Sequence, residues 1–244
     1  MNAILKVDNV SKSFGGLRAV REVGFDLHDG EILGVIGPNG AGKTTLFNIV
    51  AGAIPADSGS VTFDGQRTEA MRPHEIAKLG LVRTFQVMKP FSGLTVQENV
   101  LVGAFLKRQD PTDAEAHARE MMHLTGLTPY ADRPAQGLTL AIRKRLELAR
   151  ALATDPKVLL LDEVLAGLTP TEGAEMIDVV RSIRDAGVSV LIIEHVMAAI
   201  MALSDRIAVI HHGEMLAIGQ PAEIVTDPRV VEAYLGEEFQ IAPD

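Results

Sequence analysis

With 244 residues, of which 47% are hydrophobic, the chain is long enough to bury the core of one large α/β unit, with or without a subdomain. Its net charge of −9 argues against nucleic acid as the main partner, and the lack of cysteine excludes disulfides and thiolate metal sites. Lys6 and Asp8 interrupt the apolar N-terminal stretch, so we expect no signal peptide, and no apolar run reaches the roughly 18 residues that a membrane span needs. We expect a soluble, cytoplasmic protein.

The beginning of the chain predicts short antiparallel strands. Strand-like patterns cover residues 5–10 and 23–27, with turn residues at 14–16 and 28–30. Residues 61–63 run into an Asp-Gly turn, which is typical of a hairpin. We therefore expect a small antiparallel sheet beside the main core.

A phosphate-binding loop follows the apolar run at residues 32–36. Residues 37–45 read GPNGAGKTT, which contains the pattern Gly-x-x-x-x-Gly-Lys-Thr. Small residues let backbone N–H groups wrap a phosphate chain, Lys43 neutralises the β- and γ-phosphates, and the hydroxyl of Thr44 is suited to Mg²⁺. The helix that starts near Gly42 directs its positive end at the same anion. The expected nucleotide contacts are Gly37, Pro38, Asn39, Gly40, Ala41, Gly42, Lys43, Thr44 and Thr45.

The middle of the chain has a helical pattern. It covers residues 90–153, with breaks at 110–111 and 126–134. The short basic run at residues 143–145 is interpreted as a solvated helix face, because it is too short to indicate nucleic-acid binding.

Strands then alternate with helices. Strand patterns at 158–161, 188–193 and 207–210 are separated by helical patterns at 172–185 and 197–203. This alternation indicates a parallel sheet. A last helix is expected to have Asp227 as its N-cap, Pro228 at its first position and Gly236 as its stop.

The strand at 158–161 ends in two adjacent carboxylates, Asp162 and Glu163, an ending that an apolar strand normally avoids. We interpret Asp162 as a Mg²⁺ ligand through the water shell of the ion, and Glu163 as the group that orients or deprotonates the attacking water. A solvated acidic turn is the alternative, and the phosphate-binding loop upstream disfavours it.

The chain resembles the ATPase subunit of ABC transporters over nearly its whole length, and its motifs stand in the order of that family. Gln86, within the stretch RTFQ, matches the Q-loop glutamine of that family, and the resemblance implies that its amide touches metal and water. His195, just past a strand, matches the switch histidine that contacts the γ-phosphate. Phe14 matches the aromatic residue that stacks on adenine, and residues 166–169 match the loop that crosses the dimer interface.

The resemblance implies an α/β fold with a P-loop NTPase core around a parallel sheet, an antiparallel β subdomain and a helical insertion subdomain. A single ABC ATPase domain would cover residues 1–244, with its nucleotide-binding core at about 1–87 and 154–220, its helical subdomain at about 88–153 and a helical tail at about 221–244. It further implies ATP and Mg²⁺ as cofactors, and a second ATPase subunit, identical or paralogous, that sandwiches ATP head to tail. Membrane permease subunits would be contacted by the segment after Gln86, and a solute-binding protein would act indirectly. The location would be the cytoplasmic face of the cell membrane.

The signature that opens one helix departs from the family pattern Leu-Ser-Gly-Gly-Gln. Residues 138–142 read LTLAI, so only the leucine and a hydroxyl, that of Thr139, are kept. The glycines let backbone N–H groups approach the γ-phosphate held by the opposite subunit, and Leu140 and Ala141 place β-carbons there. Thr139 is retained as an expected nucleotide contact. The helix that follows should present one apolar face, made of Ile142, Leu146, Ala149 and Ala153.

Within the family, the chain is most similar to the ATPases of branched-chain amino acid importers, in residues 83–86, 94–100, 193–207 and 219–237. The solute does not touch this subunit, so amino acids, short amides, urea and aromatic acids all stay open. The alternative is a nucleotide-binding regulatory protein, or a soluble ABC-type protein with little transport role. Soluble proteins of that type commonly carry two cassettes or a long coiled-coil insertion, and the sequence contains neither. Nothing in it resembles the acceptor site of a P-loop kinase.

Overall fold

The computed structural model describes residues 2–84 and 90–238, and these residues form two sheets with helices around them. The strands are β1 (Ala3–Phe14), β2 (Leu17–His28), β3 (Ile32–Ile36), β4 (Ser58–Phe63), β5 (Gln66–Arg67), β6 (Leu81–Arg83), β7 (Val158–Asp162), β8 (Ser189–Ile193), β9 (Arg206–His211) and β10 (Glu214–Gly219). The helices are α1 (Lys43–Val50), α2 (Pro73–Leu79), α3 (Val96–Ala104), α4 (Pro111–Leu124), α5 (Leu140–Leu152), α6 (Pro170–Asp185), α7 (Met197–Leu203), α8 (Pro221–Thr226) and α9 (Pro228–Glu238), with one 3-10 turn at Thr128–Tyr130.

The smaller sheet is antiparallel, in the order β2-β1-β4-β5. Leu5 pairs with Leu27 on one side and with Phe63 on the other, and all three side chains are fully buried. The predicted antiparallel sheet is therefore confirmed. Its first two strands extend beyond the apolar residues that predicted them. The polar residues at the ends of these strands stay paired along the backbone as far as the turn between Phe14 and Leu17.

The larger sheet has the order β10-β9-β3-β8-β7-β6 and is parallel except for the edge strand β10. Every residue of β3, β7 and β8 is buried, which is the pattern of strands covered on both faces. Because β8 lies between β3 and β7, the carboxyl ends of these three strands meet at one edge. Residues that follow these strands are therefore close in space although they are far apart in sequence.

Two of the three apolar clusters pack on the two faces of the larger sheet, and the third lies in the helical segment 96–153. The predicted apolar face of α5 is confirmed, since Leu146, Ala149 and Ala153 are fully buried in the third cluster and Ile142 packs against it. In α1, Leu46, Ile49 and Val50 are buried in the first of these clusters.

The tail helix begins as predicted and ends later than predicted. Oδ1 of Asp227 accepts a hydrogen bond of 2.9 Å from the backbone N–H of Arg229, so Asp227 caps the helix. The prediction that Gly236 stops it is wrong, because α9 continues to Glu238. A glycine costs a helix only about 1 kcal/mol, and the glutamates that follow favour helix. Across the described part of the chain, no helix combines the length and the apolar character that a bilayer crossing requires.

Candidate functional site

An open cavity of about 430 Å³ lies at the edge where β3, β7 and β8 end. We call it the loop cavity. It is lined by most of the residues that the sequence singled out, namely Phe14, Asn39, Gly40, Ala41, Gly42, Lys43, Thr44, Thr45, Glu163 and His195. The sheet order explains this convergence, because the loop follows β3, Glu163 follows β7 and His195 follows β8.

Two glycines of the loop are required by close backbone contacts. A β-carbon at Gly37 would lie 2.0 Å from the carbonyl oxygen of Ile210, and one at Gly42 would lie 2.2 Å from that of Ala19. Gly42 also has a φ of 103°, a left-handed conformation that favours glycine. The loop is thus wedged between β9 and the hairpin of β1 and β2, and its backbone is fixed before any ligand arrives.

The ammonium group of Lys43 lies on the loop itself. Its Nζ donates hydrogen bonds of 2.6 Å to the carbonyl of Gly37 and 2.8 Å to that of Pro38, and the residue is 6% exposed. A buried cation at the N-terminus of α1 adds to the partial positive charge of that end of the helix. This end of the cavity is therefore suited to a polyanion.

The start of α1 differs from the starts of the other long helices. No side chain caps it, and its N-cap residue is Gly42. In contrast, threonine hydroxyls cap α3, α5 and α6, and the carboxylate of Asp110 caps α4. The first N–H groups of α1 are thus left to the loop cavity, the arrangement that binds phosphate in other proteins.

Glu163 and His195 form a polar pair in the cavity wall. Nε2 of His195 and Oε1 of Glu163 are 2.7 Å apart. The backbone of Glu163 has a φ of 53°, an uncommon conformation for a residue with a side chain, and its N–H donates to the carbonyl of Ile193 over 3.0 Å. Glu163 can orient a water molecule, the role that the sequence predicted for it, and the contact of His195 with a γ-phosphate stays a prediction.

Asp162 lies beneath the cavity and does not line it. Its side chain is 2% exposed, and its Oδ2 accepts a 2.8 Å hydrogen bond from Nη2 of Arg83. Nη1 of Arg83 donates in turn to Oδ1 of Asn48 on α1 over 2.5 Å. Thr44, which lines the cavity, and Asp162 offer hydroxyl and carboxylate oxygens, the ligand type that Mg²⁺ prefers. Sequence reasoning missed the role of Arg83, because it depends on the pairing of β6 with β7, which the sequence alone does not show.

Phe14 lines the cavity and is 49% exposed, and Nζ of Lys12 lies 5.7 Å from the centre of its ring. This exposure leaves a ring face available for a planar ligand. The cavity is also lined by Leu17, Arg18 and His212, which sequence reasoning missed. Gln86 lies outside the described residues.

Thr139 is not brought to the loop cavity. It caps α5, where its hydroxyl accepts a 3.4 Å hydrogen bond from the N–H of Ile142, and it lines a second cavity of about 470 Å³. We call this the signature cavity; Arg145 and Glu175 also line it. The prediction that Thr139 contacts nucleotide is therefore not met by the loop cavity of its own chain, and it stays a prediction for the nucleotide of a second subunit.

The side chains that replace the signature glycines are turned toward this chain. Ala141 is buried, at 6% exposure. Leu140 is partly buried, and a β-carbon built on Gly167 would lie 3.0 Å from Cδ2 of Leu140. Gly167 belongs to the loop that the sequence assigned to a dimer interface. The β-carbon that stays near the surface is thus that of Leu140, since Ala141 points inward.

The interpretation of residues 143–145 as a solvated face is wrong for two of the three. Arg143 is exposed. Lys144 is partly buried and its Nζ donates to the carbonyl of Glu163 over 2.8 Å, and Arg145 forms an ion pair with Glu175 on α6. Loops from distant parts of the sequence cover these side chains, so the run itself carried no sign of their burial.

Comparison with known proteins agrees with this geometry. The family model described as "ABC transporter" matches residues 20–166, more than half of the chain, and the model "Branched-chain amino acid ATP-binding cassette transporter" matches residues 214–240. The high-affinity branched-chain amino acid transport ATP-binding protein LivG of Salmonella typhimurium is 40% identical, over 96% of this chain and 98% of its own. The lipopolysaccharide export system ATP-binding protein LptB of Escherichia coli is 36% identical, over 98% and 100%.

Solved structures of ATP-binding cassettes share the fold. The ADP conformation of MJ1267, an ATP-binding cassette of an ABC transporter, is 31% identical and superposes with a TM-score of 0.87 over 97% of this chain and 100% of its own. The parallel core, the antiparallel sheet and the helical segment that the sequence predicted are therefore those of an ATP-binding cassette. The chain belongs to the ABC transporter ATP-binding family and is an ATPase.

Proposed function

We propose that this ATPase powers an importer for branched-chain amino acids or related small solutes, and that it hydrolyses Mg-ATP in a head-to-tail dimer. The observation that carries the catalytic part is the meeting of the phosphate-binding loop with the Glu163–His195 pair in one cavity. The match of residues 214–240 to a model of branched-chain amino acid transporters supports the choice of solute.

In this proposal the chain's own residues divide the work. Gly37 to Thr45 and the start of α1 bind the phosphates, Lys43 neutralises them, and Phe14 stacks on the base. Glu163 accepts a proton from the attacking water, while His195 orients the Glu163 carboxylate and contacts the γ-phosphate. Thr44, Asp162 through the water shell of the ion, and Gln86 would hold Mg²⁺, which would supply charge neutralisation at the β- and γ-phosphates.

The separation of the two cavities supports the dimer. Thr139 and the start of α5 line a cavity of their own, away from the loop cavity of the same chain. A second ATPase, identical or paralogous, would place the start of its own α5 over the nucleotide of this chain. In the same way, the start of this chain's α5 would lie over the partner's nucleotide.

Exposed apolar side chains support contact with a permease on the cytoplasmic face of the membrane. Phe91, Phe105 and Leu106 are 46%, 48% and 42% exposed, and they follow the Q-loop or end helix α3. Asn99 ties Phe91 to this helix, since its side chain both accepts from the Phe91 N–H and donates to the Phe91 carbonyl. Exposed aromatic side chains held on a rigid helix are suited to docking against another protein.

Affinity purification from native membranes, followed by vesicle reconstitution, tests the proposal. We expect a permease pair and ATP-dependent uptake of radiolabelled leucine once the matching solute-binding protein is added, and no uptake with Glu163→Gln. LptB, 36% identical over nearly the whole chain, makes a lipid exporter the second candidate. Recovery of lipopolysaccharide-export components, or vesicles that transport no amino acid, would refute the importer.

A further inference from the structure

The backbone at residues 163–165 needs outside support. Glu163 is a non-glycine residue at a φ of 53°, a conformation that costs about 1 kcal/mol or more and persists only where its surroundings hold it. Its carbonyl also accepts a 3.2 Å hydrogen bond from the N–H of Ala166, which closes a tight turn. The direction of the Glu163 side chain therefore depends on what fixes this turn.

Lys144, on helix α5, is one of the groups that fix it. Its Nζ donates to the carbonyl of Glu163 over 2.8 Å, and the residue is partly buried. Burial lowers the pKa of Lys144, and the nearby charges of Glu194, Glu163 and Glu147 oppose that effect. Desolvating a cation is costly, so this placement requires favourable contacts in return, and the bond to Glu163 is one of them.

Glu194 is the other group. It is 2% exposed, and its Oε1 accepts a 2.7 Å hydrogen bond from the N–H of Leu165. Burial raises the pKa of Glu194, which the Leu165 bond and the charge of Lys144 counteract. Lys144 and Glu194 thus hold the turn by its backbone, one on each side of Val164, while His195, directly after Glu194, bonds the Glu163 carboxylate.

Neither Lys144 nor Glu194 is among the residues that line the loop cavity. We propose that they are positioning residues for the Glu163 carboxylate, through which the helix that starts at the signature cavity of one subunit governs hydrolysis at that same subunit's nucleotide. The inference rests on the proposed role of Glu163 as the base. A movement of α5 would pull on the Glu163 carbonyl directly, without passing through the partner subunit.

The deciding experiment compares two lysines that make the same kind of bond. Lys107 donates to the carbonyl of Asp155 over 2.8 Å, away from the loop cavity, so Lys107→Met is the matched control for Lys144→Met. The full-length chain, with the ATPase it purifies with, is assayed for ATP affinity and for single-turnover hydrolysis. We expect Lys144→Met to slow hydrolysis by about ten- to a hundredfold with ATP affinity within about twofold, since small misplacements of a catalytic group cost that much. Lys144→Arg, which keeps a donor, should restore most of the rate.

A double variant separates positioning from general stabilisation. If Lys144 acts through Glu163, Lys144→Met combined with Glu163→Gln should be no slower than Glu163→Gln alone. Additive losses would overturn the inference, as would a Lys144→Met rate equal to that of the Lys107→Met control.

Two further outcomes are decisive. If Glu163→Gln hydrolyses ATP at an ordinary rate, Glu163 is not the base and the proposed function fails. If Glu163→Gln is slow but Lys144→Met hydrolyses ATP at an unchanged rate, only the positioning inference fails. If Lys144→Met no longer binds ATP, Glu194→Met decides, because it removes the acceptor of the Leu165 N–H, while Glu194→Gln, which keeps an acceptor, is its control. A rate reduced more than about threefold at unchanged ATP affinity supports positioning, and an unchanged rate overturns it.

Discussion

The motifs that line the loop cavity and the signature cavity differ in the reason for which glycine would be required. In the phosphate-binding loop, β-carbons at Gly37 and Gly42 would strike the carbonyls of Ile210 and Ala19, so the chain's own fold requires the glycines. At the start of α5 the chain itself tolerates Leu140 and Ala141, and in the proposed dimer the ligand that would need glycine there belongs to another subunit. Residues of a motif that the chain's own fold requires cannot be replaced without loss of stability. Residues of a motif that contacts only a partner's ligand can be replaced without that loss.

The largest expected effect sharpens the first half of this comparison. Lys43→Ala should abolish ATP turnover, by about a thousandfold or more, because the loop loses the one buried cation that its described residues supply to the phosphates. ATP affinity and steady-state phosphate release measure the effect, with Lys107→Ala as the control. Near-normal hydrolysis would contradict the assignment of the loop.

The second prediction concerns the two composite sites of a heteromeric transporter. If the signature of the partner ATPase keeps its glycines, the site built on Lys43 and Glu163 should carry most of the hydrolysis. The reason is that the atypical signature of this chain would face the partner's nucleotide and not its own. The catalytic glutamate is replaced in one ATPase at a time, and single-turnover rates are measured at each site. We expect the rates to differ by about tenfold, the value of one charge-assisted hydrogen bond; equal rates would refute the asymmetry.

Leu140→Gly tests whether the side chain at the signature obstructs the partner's nucleotide. We expect it to raise hydrolysis at the partner's site several-fold and to lower this chain's free energy of unfolding by about 1 kcal/mol, the usual cost of glycine in a helix. Thr139→Ala removes the cap of α5. It should lower the free energy of unfolding by a similar amount, about 1 kcal/mol, and leave turnover at the chain's own site unchanged. Chemical denaturation and single-turnover assays separate the two effects.

The smallest effect concerns pH and the helix caps. Hydrogen bonds from Thr95 hold the pKa of Glu98 below its ordinary value of 4.5, and those from Thr169 do the same for Glu172. Because both pKa values are lowered by folding, this stabilisation is complete above pH 4.5 and is lost as pH falls through the lowered values. Denaturation of Glu98→Gln and Glu172→Gln should therefore show a shallower loss of stability between neutral and acid pH. An unchanged pH dependence would contradict the role of these caps.

Local chemistry made the loop and the acidic strand end predictable. The glycines, Lys43 and the run that ends in Asp162 and Glu163 each carry their reason within a few residues of sequence. Strand alternation likewise predicted the parallel sheet and hence the meeting of the loop with Glu163 and His195.

The parts that failed depend on distant segments. Lys144 reads as a surface residue until Glu194 and the turn at 163–165 cover it, and Arg83 shows its role only when β6 pairs with β7. Strand β10 was missed because it is an edge strand of half-exposed residues with no clean alternation. Gly236 was taken as a stop because glycine ends many helices, although nothing around it requires a left-handed turn.

The insertion of β8 between β3 and β7 also has a consequence for synthesis of the chain. The first 188 residues contain the phosphate-binding loop and both acids, yet the strand that aligns them comes later, at Ser189–Ile193. A chain still attached to the ribosome therefore has a gap in the middle of its main sheet until those residues emerge, and His195 emerges only after them. We therefore expect competence for hydrolysis to arise only late in translation.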